Sequence, residues 1–305
     1  MKVLVFINLL SGVADGSIYD FMRAFARAED EIVLRYAGNG SNFDELLNDT
    51  AEFDAVVACG GDGTVASVLY ATRNSGTPVL PFPAGTANLL TMNLRSPTET
   101  PALAKLLREG KHLDFDLCEF ECENYKRGYT IMAGCGYDAT IMHMAAQNKK
   151  TLGAFAYFHA AFANPTPQCS QFTLWLDGKK VECKGVGVLC MNFSMIQGEI
   201  SLARKDNSPR DGLLDVLVLA TDTAWNLLPA FVGASLDKSG KAQESSNVLT
   251  YYQASEVRIE ADPALMMQYD GEPLEAWTPL TCRILPSAAT IVVSDECYEH
   301  FTEDK

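Results

Sequence analysis

The stretch Ala55-Val56-Val57-Ala58-Cys59-Gly60-Gly61-Asp62-Gly63-Thr64-Val65 decides how the chain is read. An apolar run ends in two glycines; an aspartate, a third glycine and a threonine follow. Beyond the turn, Val65, Val68, Leu69 and Thr72 recur at helical spacing. Strand, tight turn and helix in that order make the carboxyl edge of a parallel sheet, where open α/β sheets hold ligands. Glycines there permit positive φ and let another group approach the backbone closely. Backbone N–H groups at the helix start favour an anion such as phosphate. Asp62 would repel phosphate unless a cation or a hydroxyl lies between them. It therefore points to metal-bridged phosphate chemistry or to a hydrogen bond with a hydroxyl. The structural alternative is a turn in which Asp62 caps the following helix. Neither the Walker spacing, Gly-x4-Gly-Lys-Ser/Thr, nor the dinucleotide pattern, Gly-x-Gly-x-x-Gly, is present at this turn.

A second turn of the same kind, Pro83-Ala84-Gly85-Thr86-Ala87-Asn88, follows the next apolar run. By itself it reads as a helix start capped by Thr86 or Asn88. Two adjacent strands that both end in Gly-Thr turns put both turns on one edge, which favours a shared phosphate site.

Working outward, strands are expected over 3–7, 31–36, 54–58 and 78–82. Helices are expected from Ile18, over 43–47, after Thr64, over 89–94 and over 101–109, with Asp15 or Ser17 capping the first. This alternation implies a parallel sheet with helices on its faces. Past Lys111 the pattern changes. Strands are expected over 113–121, 128–133, 171–176, 181–191, 213–220, 257–260, 265–269, 280–285 and 290–293. Helices are expected only over 138–148, 153–163 and 223–235. The fold class is thus α/β plus β: a Rossmann-like domain over 1–112 and a β-rich, sandwich-like domain over 113–305. The last strand is a candidate to return to the first domain.

The net charge of −15 argues against nucleic acid as a partner and against electrostatic adsorption to an anionic membrane. No run of about 18 apolar residues is present, so no transmembrane helix is expected. The opening Met1-Lys2-Val3-Leu4-Val5-Phe6-Ile7-Asn8 reads as a first strand, not a signal peptide. Nine scattered cysteines fit reduced thiols, so a cytoplasmic location is expected.

Two Asp-Gly pairs mark hairpin turns, in Leu176-Asp177-Gly178-Lys179 and in Tyr269-Asp270-Gly271-Glu272. They differ in the next residue: Glu272 can act as a base, Lys179 cannot. Asp211-Gly212-Leu213 reads either as a strand-entry turn or as oxygen ligands for a hard cation.

The ordered set of motifs resembles the diacylglycerol kinase catalytic domain family of bacterial lipid kinases. The resemblance rests on Gly60-Gly61-Asp62-Gly63-Thr64 followed by Pro83-x-Gly85-Thr86-x-Asn88. It continues through Asn8-Leu9-Leu10-Ser11-Gly12, Gly134-Cys135-Gly136-Tyr137-Asp138-Ala139, Asp211-Gly212-Leu213-Leu214-Asp215-Val216 and Asp270-Gly271-Glu272. The first motif alone is shared with NAD kinases and phosphofructokinases. The resemblance implies an α/β nucleotide domain, a β-rich second domain and an active site in the cleft between them. It implies transfer of the γ-phosphoryl of ATP, with Mg2+, to a lipid hydroxyl at a membrane surface. Asp62 would serve the nucleotide and its magnesium. Asn8, Gly60, Gly61, Gly63, Thr64, Gly85, Thr86 and Asn88 would surround ATP. Asp211 and the Leu213 carbonyl would hold a structural magnesium, and Glu272 would be the general base. Relatives are often dimers, so a homodimer is expected.

The chain departs from the family at Leu9, where proline is usual, at Val13, where lysine or arginine is usual, and at Leu89, where aspartate is common. Two alternatives follow: a kinase of a soluble substrate, as in NAD kinase, and a member that binds nucleotide or lipid without turnover.

Overall fold

The structure is a computed structural model. It describes residues 1–11, 16–123, 125–137, 167–197, 200–201, 207–223, 226–227 and 248–302. The chain divides into two compact units, Met1–Leu117 with Leu285–Lys305, and Cys118–Ile284.

The first unit opens with β1 (Lys2–Asn8), α1 (Ser17–Phe25), β2 (Glu31–Ala37) and α2 (Phe43–Leu46). It continues with β3 (Ala55–Gly60), α3 (Asp62–Ala71), β4 (Val79–Pro83), α4 (Leu89–Asn93) and α5 (Thr100–Glu109), and β5 (Lys111–Cys122) begins there. The strands run in the order β2-β1-β3-β4, every pair parallel. The final strand joins β4 in parallel, with Ile291 opposite Val79. Alternation sorts the side chains. Val3, Val5, Ile7, Val57 and Cys59 pack with Ile18, Phe21 and Phe25 of α1 and Leu103, Leu106 and Leu107 of α5. Phe6, on the other face, meets the Phe43 ring at 4.9 Å. Burial on both faces explains why β3 is apolar throughout rather than alternating. Each large side chain so buried contributes about 1.5–3 kcal/mol. Of the two expected caps of α1, Ser17 is instead the first residue of the helix and Asp15 lies outside the described residues; the cap position is Gly16 at φ 72°.

The second unit contains β6 (Tyr125–Tyr129), β7 (Met132–Gly136), β8 (Ser170–Leu176), β9 (Lys179–Gly185) and β10 (Gly187–Met191). Then come β11 (Met195–Gln197), β12 (Ile200–Ser201), β13 (Leu214–Leu219), β14 (Leu249–Ala254), β15 (Glu256–Asp262), β16 (Met266–Tyr269) and β17 (Glu272–Trp277). The strand β18 (Leu280–Val293) leads back to the first unit, which α6 (Asp295–Thr302) completes. One antiparallel sheet has the order β14-β13-β10-β7-β16-β17. The other layer pairs β18, β15, β8 and β9 in succession, with β5 pairing both β18 and β6. Phe120, Phe172, Leu174, Ile259 and Cys282 of this layer share a core with Val188, Cys190, Val216 and Met267 of the other. That is a β-sandwich.

Four expected strands differ from the observed ones. The run 128–133 breaks at Thr130-Ile131, because the N–H groups of residues 130–132 turn to the Asp270 carboxylate. The run 181–191 breaks at Val186, where the chain passes from one layer to the other. A side chain at Gly185 would meet the Leu219 carbonyl oxygen at 2.3 Å. The runs 280–285 and 290–293 are one strand, kinked at Ser287 with φ 50°, whose N–H donates to Asp116 at 2.7 Å. The change of pattern near Lys111 marks the start of β5, whereas the division between units falls within that strand. Strands β11, β12, β14 and β17 and helix α6 were not expected. The expected helices over 138–148 and 153–163, and most of 223–235, lie outside the described residues.

Candidate active site

In the first unit the two glycine turns touch backbone to backbone. A Cβ on Gly85 would lie 2.5 Å from the Gly61 Cα, and the Ala84 N–H donates to the Gly60 carbonyl at 3.2 Å. A Cβ on Gly60 would fall 2.5 Å from the Thr64 Cβ. Gly60 therefore leaves room for the Thr64 side chain to fold over the strand end. There the Thr64 hydroxyl accepts from Asn8 Nδ2 at 2.8 Å and shares a hydrogen bond with the Ser11 hydroxyl at 3.1 Å. Asn8 holds its own loop as well, its Oδ1 accepting from the Leu10 N–H at 3.0 Å.

Asp62 is the first residue of α3, so its charge stabilises that helix end. Its carboxylate also accepts from the Leu90 N–H of α4 at 3.0 Å. It thus joins the starts of two helices; it does not cap its own, whose cap position is Gly61 with no side-chain cap bond. Asn88 sits in the left-handed region at φ 49° and makes no cap bond to α4. Its amide closes the second turn on itself, accepting from the Gly85 N–H at 2.8 Å and donating to the Gly85 carbonyl at 3.0 Å. Asn88 therefore shapes the turn. Thr86 is exposed at the tip, and Gly63 lies in the first turn of α3. Leu9 has an N–H that proline lacks, and uses it to donate to the Ala37 carbonyl at 3.0 Å. Val13 lies outside the described residues.

The second unit holds Asp211, Leu213 and Glu272. The Asp211 carboxylate accepts from the Leu213 N–H at 3.0 Å, closing a turn at Gly212 with φ 75°. Asp270 and Gly271, at φ 43° and 79°, form a two-residue hairpin turn of the type favoured by right-handed twist. The buried Asp270 carboxylate accepts from Ile131 N (2.8 Å), Thr130 N (2.9 Å), Met132 N (3.1 Å) and the Thr130 hydroxyl (3.2 Å). Glu272, exposed, opens β17 directly opposite Tyr269. Burial raises the Tyr269 hydroxyl above the ordinary tyrosine range; the Arg127 charge opposes this and the Glu272 charge adds to it.

The structure thus gathers Asn8, Gly60, Gly61, Asp62, Thr64, Gly85 and Asn88 in one loop pair of the first unit. Ser11 belongs with them, although sequence reasoning did not single it out. Its signal was its place in the Asn-x-x-Ser-Gly stretch. The loop pair presents hydroxyls, helix starts and one carboxylate, a set suited to a phosphate held with a cation. The Asp62 carboxylate is a hard oxygen donor, and such donors fit magnesium. Among the described residues no three His, Cys, Asp or Glu side chains converge as a metal site of their own.

Residues 2–120 match the family described as diacylglycerol kinase catalytic domain. Residues 131–293 match the family described as YegS C-terminal NAD kinase beta sandwich-like domain. An uncharacterized protein of Synechocystis is 27% identical over 241 residues, covering 77% of this chain and 54% of that protein. A diacylglycerol kinase of Mycobacterium tuberculosis is 27% identical over 185 residues, covering 58% of this chain and 59% of that enzyme. The match therefore spans little more than half the length of either relative. A crystal structure of a diacylglycerol kinase from Bacillus anthracis superposes with a TM-score of 0.75, over 97% of this chain and 98% of that one, at 18% identity. That likeness extends to the fold.

Proposed function

The chain belongs to the family that joins a diacylglycerol kinase catalytic domain to a YegS C-terminal sandwich domain, and on that premise we propose that it transfers the γ-phosphoryl group of ATP to a lipid hydroxyl. The observation that carries the reading is the backbone contact of Gly61 with Gly85 beside Asp62. Two phosphate-type turns that touch without side chains bring the start of α3, the Asp62 carboxylate and the Thr64 hydroxyl to one place, a setting that favours a phosphate held with a cation. Thr64, set by Asn8 and Ser11, orients the triphosphate.

Magnesium held at the Asp62 carboxylate would supply the charge neutralisation that phosphoryl transfer requires. A structural magnesium would draw on the Asp211 carboxylate and the Leu213 carbonyl. Glu272 accepts the proton of the acceptor hydroxyl as its oxygen bonds to the γ-phosphorus. The bond from that phosphorus to the bridging oxygen breaks, and ADP leaves. No helix of the described residues is long and apolar enough to cross a membrane. The reading has the enzyme meet its lipid at the membrane surface.

The test is transfer from labelled ATP to diacylglycerol, monoacylglycerol, phosphatidylglycerol and sphingoid bases in mixed micelles. At least one lipid is expected to be labelled, and Asp62→Ala and Glu272→Gln are each expected to abolish labelling. Transfer that survives both substitutions would sink the mechanism. Stoichiometric NADP formation from NAD and ATP would replace the lipid with a soluble acceptor.

A further inference from the structure

Apolar side chains gather at one edge of the first unit. Among the described residues seven large apolar side chains are exposed, and five of them, Leu9, Leu10, Tyr19, Leu34 and Tyr36, lie on or beside β2. That strand ends the order β2-β1-β3-β4, so its outer edge pairs with no described strand. Alternation sorts its backbone. The Glu31 N–H donates to the Met1 carbonyl at 2.9 Å, and the Ala37 carbonyl accepts from the Leu9 N–H at 3.0 Å. Odd-numbered residues of β2 therefore face β1, and Ile32, Leu34 and Tyr36 direct their N–H and C=O groups outward. The side chains of these three also share one face. Ile32 packs against the core beneath α1, and Tyr36 meets Tyr19 of α1.

Edge strands are usually blunted by lysine, proline or a bulge, and β2 has none of these over its seven residues. Its one cation, Arg35, is on the opposite face, bound to Asp49 at 2.6 and 2.9 Å. Hydrocarbon cannot cover such an edge, because it offers the outward N–H and C=O groups no partner. A strand can, and β2 fits its own copy run antiparallel. With a two-fold axis at Leu34, that residue faces the partner's Leu34, and Ile32 faces the partner's Tyr36. These are pairs of outward-facing residues, so each exchanges both backbone hydrogen bonds. They also bring apolar side chains together on one face. On the other face Val33 stands opposite the partner's Arg35 and Glu31 opposite the partner's Ala37, so no like charges meet.

We propose that the β2 edge is the surface on which a second copy of this chain docks, strand to strand about a two-fold axis at Leu34. The contact is isologous, each copy giving the same residues. It joins two parallel sheets into one continuous sheet. Tyr36 is its aromatic anchor, and Tyr19, Leu9 and Leu10 extend the apolar strip on either side. The inference does not rest on the lipid kinase reading, and no residue assigned to phosphoryl transfer lies between Glu31 and Ala37.

Analytical ultracentrifugation of the full chain over a range of concentrations up to about 100 μM makes the test. Wild type is expected to sediment as a dimer that dissociates on dilution. Leu34→Lys and Leu34→Glu each set two like charges face to face at the axis, and each is expected to weaken association about 100-fold or more. An equal mixture of the two variants sets opposite charges face to face and is expected to recover the dimer. Trp277→Lys, a change at an exposed apolar side chain of the second unit, should leave association unaltered. A wild type that is monomeric throughout overturns the proposal. So does a dimer indifferent to both Leu34 variants, or a loss that the mixture does not repair. A monomeric wild type that sediments with phosphatidylcholine vesicles, and loses this in Leu34→Lys, would give the strip to lipid instead. Circular dichroism checks folding. Should a charged variant fail to fold, Leu34→Thr and Tyr36→Thr keep strand propensity and are each expected to raise the dissociation constant about tenfold. An unchanged constant in both overturns the interface.

Discussion

The two Asp-Gly hairpins of the second unit use one device at two depths. Asp177 and Gly178 take φ 49° and 82°, and Asp270 and Gly271 take 43° and 79°. In both, the turn aspartate reaches sideways and holds the backbone of another strand. Asp177 accepts from the Ser255 hydroxyl at 2.7 Å and from the Glu256 N–H at 2.9 Å. Asp270 accepts from the N–H groups of residues 130–132. The difference is solvent and company. Asp177 is exposed, and Lys179 follows its turn. Asp270 is buried, and Glu272, with Tyr269 and Arg127 nearby, follows its turn. The comparison teaches that the aspartate of a turn is explained by the fold, so chemistry has to be sought one or two residues later.

The largest test of that lesson is Glu272→Gln against Lys179→Gln. Loss of a general base typically costs about 100- to 10,000-fold in kcat. Glu272 is exposed, so its substitution should move stability by no more than about 0.5 kcal/mol. Lys179→Gln should leave both turnover and stability alone. The readout for folding is tryptophan fluorescence, because Trp175, Trp225 and Trp277 all fall between Cys118 and Ile284. A Glu272→Gln enzyme with near-normal kcat would reduce the two hairpins to the same structural role.

Next in size is Asp270→Ala. It leaves three buried N–H groups and a hydroxyl without their shared acceptor, at a cost of about 3 kcal/mol or more to the second unit. Asp270→Asn should not restore the loss. An amide presents one oxygen to this ring of donors and turns N–H groups toward the rest. Urea unfolding followed by tryptophan fluorescence measures both. If Asp270→Ala costs no more than Asp177→Ala, burial is not what separates the hairpins.

How much of this could be read from the sequence depends on how far apart the partners lie. The α/β character of the first unit was legible because Val3, Val5, Ile7 and Ala55, Val57, Cys59 alternate, while Ile18, Phe21 and Phe25 recur at helical spacing. The glycine turns were legible as a place, but their reason was not. Gly60 and Gly61 do not need positive φ; Gly60 is needed because Thr64 comes too close for a side chain, and where the two turns meet it is Gly85, against the Gly61 backbone, that has no room for one. The bond from Asp62 to Leu90 spans 28 residues, and that from Asp270 to Thr130 spans 140. No local pattern encodes such pairs. The second of them is also why the expected strand over 128–133 breaks in two. The kink at Ser287 has the same origin, an N–H taken by Asp116 from a distant part of the chain.

The smallest effect sharpens the comparison through pH. The hydrogen bond from the Ser255 hydroxyl, helped by the N–H groups of Glu256 and Ser255, holds the Asp177 carboxyl below its ordinary range against the opposing pull of burial. A carboxyl lowered in the folded state stabilises the fold above its unfolded value, about 3.9, and loses that contribution as pH falls through the lower folded value. Asp177→Ala should therefore cost about 1 kcal/mol at pH 7, because these bonds are exposed and solvent competes for every partner. The gap between wild type and variant should stay constant down to about pH 5 and close below about pH 4. Urea unfolding across that range, followed by tryptophan fluorescence, makes the measurement. A gap that persists unchanged into strong acid would mean that Asp177 acts through its turn geometry and not through its charge. The two hairpins would then differ in mechanism as well as in depth.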